Sequence, residues 1–226
     1  MQNLIIPDTR LRSAVPYLKQ LGRVIDVGTD HAYLPIYLVK EGISAQALAC
    51  DINKGPILSA RKNIAAAGLS DVIDTLQTDG LHGTESFDAD DVMIFGMGGE
   101  LIVRILSEAE WIKRESVGLI LQPMTRAATL RAWLLQNGFA ITGESITYED
   151  KYYQTIAARY CGAGEEYSPV ELLVGKHNLC QRPPLFEGLV RHEIHVLNAI
   201  VKGKMQSRSA DVSEEKQMIA RWEELL

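Results

Sequence analysis

From Arg23 to Tyr160 short apolar runs alternate with helical patterns, and this alternation narrows the fold more than any other feature of the chain. Arg23–Gly28 (RVIDVG) reads as a strand. Tyr33–Glu41 follows as a short helix, with Pro35 tolerated in its first turn. Ala45–Cys50 is a second strand, ending at Asp51. In Pro56–Ala67 the residues Ile57, Ala60, Ile64 and Ala67 share one helical face, and Gly68 stands just past the end. Val72–Thr78 is a third strand, ending at Asp79-Gly80. Val92–Phe95 is a fourth, which runs into Gly96-Met97-Gly98-Gly99 and then a helix over Glu100–Ala109. Val117–Leu121 is a fifth, closed by Gln122-Pro123. Arg126–Gln136 is a helix with Leu130, Leu134 and Leu135 inward and Gly138 as its C-terminal cap. Phe139–Thr147 and Tyr152–Tyr160 are joined only by Tyr148-Glu149-Asp150-Lys151. That join is too short for a crossover helix, so the pair forms an antiparallel hairpin. Seven strands, with helices between the early ones, imply a mostly parallel sheet covered on both faces.

The texture changes after Tyr160. Cys161–Glu166 is Gly-rich and polar and reads as a linker. Pro183-Pro184 then precedes two helical patterns. Phe186–Lys204 sets Leu189, His192, Val196, Ala199 and Ile200 near one stripe. Val212–Leu226 sets Ile219, Trp222 and Leu226 on another, with Ser207–Ala210 as the turn between them. These read as a coiled-coil-like helical hairpin. The expected division is a domain over 1–165 and a helical domain over 166–226. Two starts are poorly marked. Pro16 interrupts the N-terminal helical pattern, and Ser213 has Lys216 where a capping box wants Glu or Gln.

Composition excludes several classes. With 46% hydrophobic residues in 226, the chain can bury a real core. No signal-peptide pattern and no membrane-length apolar run is present, which points to a cytoplasmic protein with no membrane partner. Cys50, Cys161 and Cys180 are too few and too far apart for a disulfide framework or a zinc site, so no metal is expected. A net charge of −6 does not advertise a nucleic-acid binder. Yet Thr9–Ile25 holds Arg10, Arg12, Lys19 and Arg23 without an acid, and such a face can meet phosphates. An ordinary solvated helix face explains it equally well.

Chemistry belongs beyond the carboxyl ends of the strands, near the point where strand order reverses. The first strand ends Asp26-Val27-Gly28-Thr29-Asp30-His31, the second at Asp51, the third at Asp79-Gly80, and the fourth at Gly96-Met97-Gly98-Gly99. Glycine permits close backbone approach to a ligand. Asp51 stands where a carboxylate would accept both hydroxyls of a ribose. Asp79 could accept an adenine amino group. Any one of these is more often turn chemistry or a helix cap; four successive strand ends carrying Gly or Asp are harder to dismiss. A nicotinamide-binding chain would want G-x-G-x-x-G after the first strand. Asp30 at that turn would repel a pyrophosphate, whereas it suits S-adenosylmethionine (SAM), which has an ammonium and a sulfonium but no phosphate.

The segments Asp26-Val27-Gly28-Thr29-Asp30-His31-Ala32-Tyr33-Leu34-Pro35, Asp51 with Gly55-Pro56, Asp79-Gly80-Leu81, Gly96-Met97-Gly98-Gly99 and Leu121-Gln122-Pro123 resemble those of the bacterial tRNA (adenine-22-N1)-methyltransferases, the TrmK family. The resemblance covers roughly residues 8–160, and more weakly the helical pair. It implies a Rossmann-like class I SAM-dependent methyltransferase fold, an α/β protein with a seven-stranded mostly parallel sheet and a C-terminal helical hairpin. It implies SAM as cofactor and N1 of an adenine in the D-arm of tRNA as target. Gly28, Asp30 and His31 would line the methionine end of SAM, and Asp26, Thr29 and Ile52 would be further cofactor contacts. Asp51 would hold the ribose, Asp79 and Gly80 the adenine, and Gly96, Met97 and Gly98 the wall near the methyl. Asp30 would supply a negative field, with Tyr33 or His31 positioning the target base; His31 serves equally well as a hydrogen bonder behind the site. Arg10, Arg12, Lys19 and Arg23 would contact phosphates, with Arg191, Lys202, Lys204 and Arg208 as further basic candidates. A methyltransferase of a small molecule or protein, or a non-catalytic RNA-binding module, is the alternative. The sequence gives no oligomeric state.

Overall fold

The computed structural model describes residues 7–205 and 211–226. The strands are β1 (Gly22–Val27), β2 (Ser44–Asp51), β3 (Ile73–Gln77), β4 (Asp91–Gly98), β5 (Gly118–Thr125), β6 (Phe139–Tyr148) and β7 (Tyr152–Tyr160). The helices of the sheet region are α1 (Thr9–Arg12), α2 (Tyr33–Lys40), α3 (Lys54–Ala66), α4 (Gly99–Ser107) and α5 (Ala127–Gln136). The later ones are α6 (Pro169–Val174), α7 (Lys176–Gln181), α8 (Phe186–Lys204) and α9 (Ser213–Glu223).

The strands lie in the order β3-β2-β1-β4-β5-β7-β6. β1 through β5 pair in parallel, and β7 runs antiparallel to both β5 and β6. Successive residues of the central strands feed opposite layers. Val24, Met93 and Ile120 pack with Leu34, Leu38 and Ile64 of α2 and α3. Ile25, Val92, Ile94, Leu119 and Leu121 pack with Ile102, Ile105, Leu130 and Leu134 of α4 and α5. A sheet buried on both faces needs apolar residues at every position, which is why these strands read as continuous apolar runs. The class I methyltransferase architecture expected from the sequence is present.

The structure departs from the sequence reading in definite places. β4 continues through Gly96-Met97-Gly98, read above as a loop, because irregular pairing with β5 carries the ladder past Phe95. β5 likewise runs past Gln122-Pro123 to Thr125. Pro16 lies in a single 3-10 turn, Val15–Tyr17, instead of a longer helix. The helices α6 and α7 were not foreseen. Ser168 and Glu171 form a full capping box at the start of α6, and Gly175, at φ +88, separates it from α7.

The C-terminal hairpin packs on the sheet edge. Phe186, Leu189, Val190, Val174, Trp222 and Leu225 form a third apolar cluster with Ile146 of β6. The stripe named from the sequence is only partly the inward one. Leu189 is buried, but Val196 and Ile200 are exposed, and Leu225 is buried in place of Leu226. The Ser207–Ala210 turn and Arg208 lie outside the described residues. Among the described residues no helix is long and apolar enough to cross a membrane.

Arg131 of α5 is fully buried and ties these parts together. Its Nε donates to Glu144 Oε1 at 2.7 Å and its Nη2 to Gln154 Oε1 at 2.7 Å. Its Nη1 reaches the carbonyls of Leu172 and Leu173 at 3.0 and 3.1 Å. Glu144 Oε2 accepts the His177 backbone N–H at 3.0 Å. A buried charge is tolerated only when paired and hydrogen-bonded, as this one is.

Candidate functional site

The strand order reverses between β1 and β4, and a cleft of about 340 Å³ opens there at their carboxyl ends. Asp26, Gly28, Asp30, Tyr33 and Leu34 line it from β1 and α2; Phe95 and Gly96 come from β4; Asp8, Arg10 and Leu11 come from α1 and its cap. Its size falls in the roughly 300–1,000 Å³ range of small-molecule sites.

The turn after β1 is tightly specified. The backbone N–H groups of Gly28 and Thr29 both donate to the Cys50 carbonyl at 2.8 Å. Gly28 has φ +77, and a Cβ there would overlap the Met97 Cε methyl. His31 and Ala32 follow at φ +59 and +57. Left-handed backbone at non-glycine residues is strained by about 1–3 kcal/mol each and collects at functional sites. Asn63 of α3 holds the turn by donating to the His31 carbonyl at 3.0 Å. The His31 ring stacks on Tyr33, centroids 5.2 Å apart, and its Nε2 lies 3.2 Å from Asp30 Oδ1.

Asp26 is buried under this turn. Burial raises its pKa to about 6; the Thr29 hydroxyl offsets this in part, and the Asp51 charge adds to it. Thr29 Oγ1 is itself buried and, among the described residues, meets no partner at full hydrogen-bond geometry. Behind the turn, burial pushes the Cys50 thiol up to about 12, which rules it out as a nucleophile at neutral pH.

The remaining strand-end residues flank the cleft. Asp51 Oδ1 accepts the Asn53 N–H at 2.6 Å, and Thr78 N–H reaches the Asp51 carbonyl at 3.0 Å. Ile52 is exposed. Asp79 is engaged on both oxygens by Arg104, at 2.8 and 3.3 Å, and the Arg104 hydrogen bond holds its carboxyl below the usual range. Gly80, at φ +60, lies against Ile105. Met97 reaches back over Gly28, and Gly98 caps α4.

The basic residues are not brought together as one face. Lys19 pairs with Asp90, and Arg23 lies over the Phe87 ring at 4.6 Å. Both stand at the amino end of β1, at the opposite end of the sheet from the cleft. Arg12 is exposed on α1. Arg10 turns into the cleft, where its Nη1 donates to Gln122 Oε1 at 3.1 Å. The sequence reading also passed over Asp8, Leu11, Phe95, Gln122 and Tyr153 as site residues. Two local signals were available: Asp8 is an N-cap, accepting Leu11 N–H at 2.7 Å, and Gln122 is a polar residue on an apolar strand.

Comparison with known proteins gives concordant likenesses. The methyltransferase domain family matches residues 8–156. The tRNA (adenine(22)-N(1))-methyltransferase of Bacillus subtilis (strain 168) is 32% identical over 215 residues, which are 93% of this chain and 90% of that one. The crystal structure of Sp1610 from Streptococcus pneumoniae in complex with S-adenosyl-L-methionine has a TM-score of 0.85 at 32% identity, covering 98% of this chain and all of that one. The structure of M. capricolum TrmK with S-adenosyl-homocysteine has a TM-score of 0.81 at 28% identity, covering 96% of each chain.

Proposed function

Because this chain belongs to the tRNA (adenine(22)-N(1))-methyltransferase family, we propose that the cleft between β1 and β4 is where its methyl transfer takes place. The protein is a SAM-dependent enzyme that methylates N1 of adenine 22 in tRNA. The cytoplasm is its proposed place of action. We propose the division that the sequence suggested, with 1–165 as the SAM-dependent methyltransferase domain and 166–226 as a C-terminal helical domain.

The cleft's own chemistry fits SAM. Asp26 and Asp30 offer carboxylates where an ammonium would lie, Thr29 Oγ1 meets no partner at full hydrogen-bond geometry among the described residues, and Gly28 leaves room that a side chain would fill. Asp51 Oδ1 accepts from Asn53, and among the described residues Oδ2 has no partner, which leaves it for ribose hydroxyls. Asp79 and Gly80 would face the adenine, with Arg104 fixing the Asp79 carboxylate. Bound SAM supplies an electrophilic methyl on a positively charged sulfur. Adenine N1 has an in-plane lone pair at neutral pH, so no side chain has to remove a proton first. The residues therefore align and desolvate: Leu34 and Phe95 exclude water, the His31–Tyr33 stack offers a platform, and Asp30 supplies a negative field as charge moves onto the base.

The observation that carries this reading is the acid-lined, glycine-floored cleft at the switch point. Transfer of a labelled methyl from SAM to unmodified tRNA transcripts tests it, with an A-to-G change at position 22 as control. Label lost in the control supports both reaction and site; label that persists moves the target base. Asp51→Ala is expected to abolish SAM binding by calorimetry with the fold retained, and unchanged affinity would overturn the ribose assignment.

A further inference from the structure

The proposed cofactor residues account for only one half of the cleft. The other half is built by α1 and its cap with Phe95 of β4, and Arg10 is the sole cation among the described residues that line it. Arg10 is held in place from several sides. Its Nη1 donates to Oε1 of the buried Gln122, whose Nε2 in turn donates to the Pro123 carbonyl at 3.2 Å. Its guanidinium lies 5.4 Å from the centre of the Tyr153 ring, and the Tyr153 hydroxyl donates to Asp150 at 2.6 Å. Nη1 sits 3.5 Å from where a Cβ on Gly96 would stand, so the side chain rests on the glycine end of β4. Asp8 Oδ2 is 3.7 Å from Arg10 Nη2. That separation makes an ion pair but exceeds hydrogen-bond reach. Among the described residues, both groups therefore keep an unused acceptor and donor beside the cleft.

We propose that Asp8 and Arg10 read the Hoogsteen edge of the target adenine, Asp8 accepting from the 6-amino group and Arg10 donating to N7. The proposal rests on the reading of this cleft as the site of adenine N1 methylation. An acceptor beside a donor is the pattern that an Asn or Gln amide presents to adenine N6 and N7; here two side chains share the task. A base held by that edge leaves N1 unbonded and open to the methyl. Guanine would turn O6 toward the Asp8 carboxylate, acceptor against acceptor, and would be rejected. Leu11 and Phe95 supply the apolar surface on which an extruded base can lie. Methylation spreads positive charge onto the amino group, so its bond to Asp8 strengthens as the reaction proceeds.

The test removes one atom from the substrate. A tRNA assembled with 7-deazaadenosine at position 22 carries C–H in place of the N7 acceptor and keeps the 6-amino group and a more basic N1, so any loss of rate reports the missing contact and not a weaker nucleophile. With the unaltered enzyme, kcat/KM for this tRNA is expected to fall by roughly tenfold or more, the effect of losing one contact to a base edge. Arg10→Met is expected to lose as much on ordinary tRNA and to treat the two substrates alike, with SAM affinity by calorimetry unchanged. Equal rates of the unaltered enzyme on both tRNAs would overturn the proposal. So would a penalty that persists in Arg10→Met, or a loss of SAM affinity in that variant. If Arg10→Met does not fold, Arg10→Lys, which loses the planar fork, answers the same question. No methylation of ordinary tRNA at all would instead sink the underlying reading of the site.

Discussion

A single methyl group added at Gly28 would strike the Met97 side chain, and the backbone there sits at φ +77, where L-residues are strained. Gly28→Ala is therefore expected to cost roughly 1–3 kcal/mol of unfolding free energy, the worth of left-handed strain at a residue with a side chain. A denaturant titration checks this. Asp26 gives a second prediction at the same scale. Burial raises its pKa from 3.8 to about 6. Its contribution to stability is fully present below the ordinary value and is lost as pH rises through about 6. A bound ammonium favours the carboxylate, so binding expels the proton. SAM affinity is then expected to rise with pH up to about 6 and level off above it, falling at most about tenfold per unit below. Asp26→Asn should remove this dependence. A pH-independent affinity of the unaltered protein would refute the contact between Asp26 and the ammonium.

At the scale of elements, the buried Arg131–Glu144 pair joins α5 and β6 to the segment carrying α6 and α7. Arg131→Met leaves the Glu144 charge buried without its partner. The expected loss is about 3–5 kcal/mol of unfolding free energy in a denaturant titration. Adding Glu144→Leu should recover much of that loss, because an apolar pair of similar volume avoids the desolvation of both charges. A single variant as stable as the original would show that the pair can relax into solvent. The same region explains why α6 and α7 escaped the sequence reading. Each has six residues, too short to display a helical period, and what orders them is packing and Arg131. Only the capping box, Ser168 with Glu171, was written locally.

For the whole molecule, the apolar cluster under the hairpin is separate from the two layers that support the cleft. Trp222→Ala is expected to cost roughly 3–5 kcal/mol in stability, as for other buried aromatic truncations, and to leave the SAM dissociation constant unchanged. Altered SAM affinity in the folded variant would couple the hairpin to the cleft. The strands, their burial on both faces and the glycine or acid at each carboxyl end were legible because they are local patterns. Periodicity and turn chemistry are properties of a few consecutive residues. The sequence by itself therefore determined the doubly covered sheet and the end of it where chemistry belongs. Tertiary structure decided the rest. α8 carries apolar residues on two stripes, and only the positions of α9 and β6 made Leu189 and Val190 inward and left Val196 and Ile200 in solvent. Arg10 shares a basic run with Lys19 and Arg23, yet the packing of α1 near Gln122 and Tyr153 turns it into the cleft while the others stay at the far end of the sheet. Charge along a chain is one-dimensional; which charges meet is fixed by contacts between residues more than a hundred positions apart, such as the Ser13 and Thr155 hydroxyls at 2.6 Å.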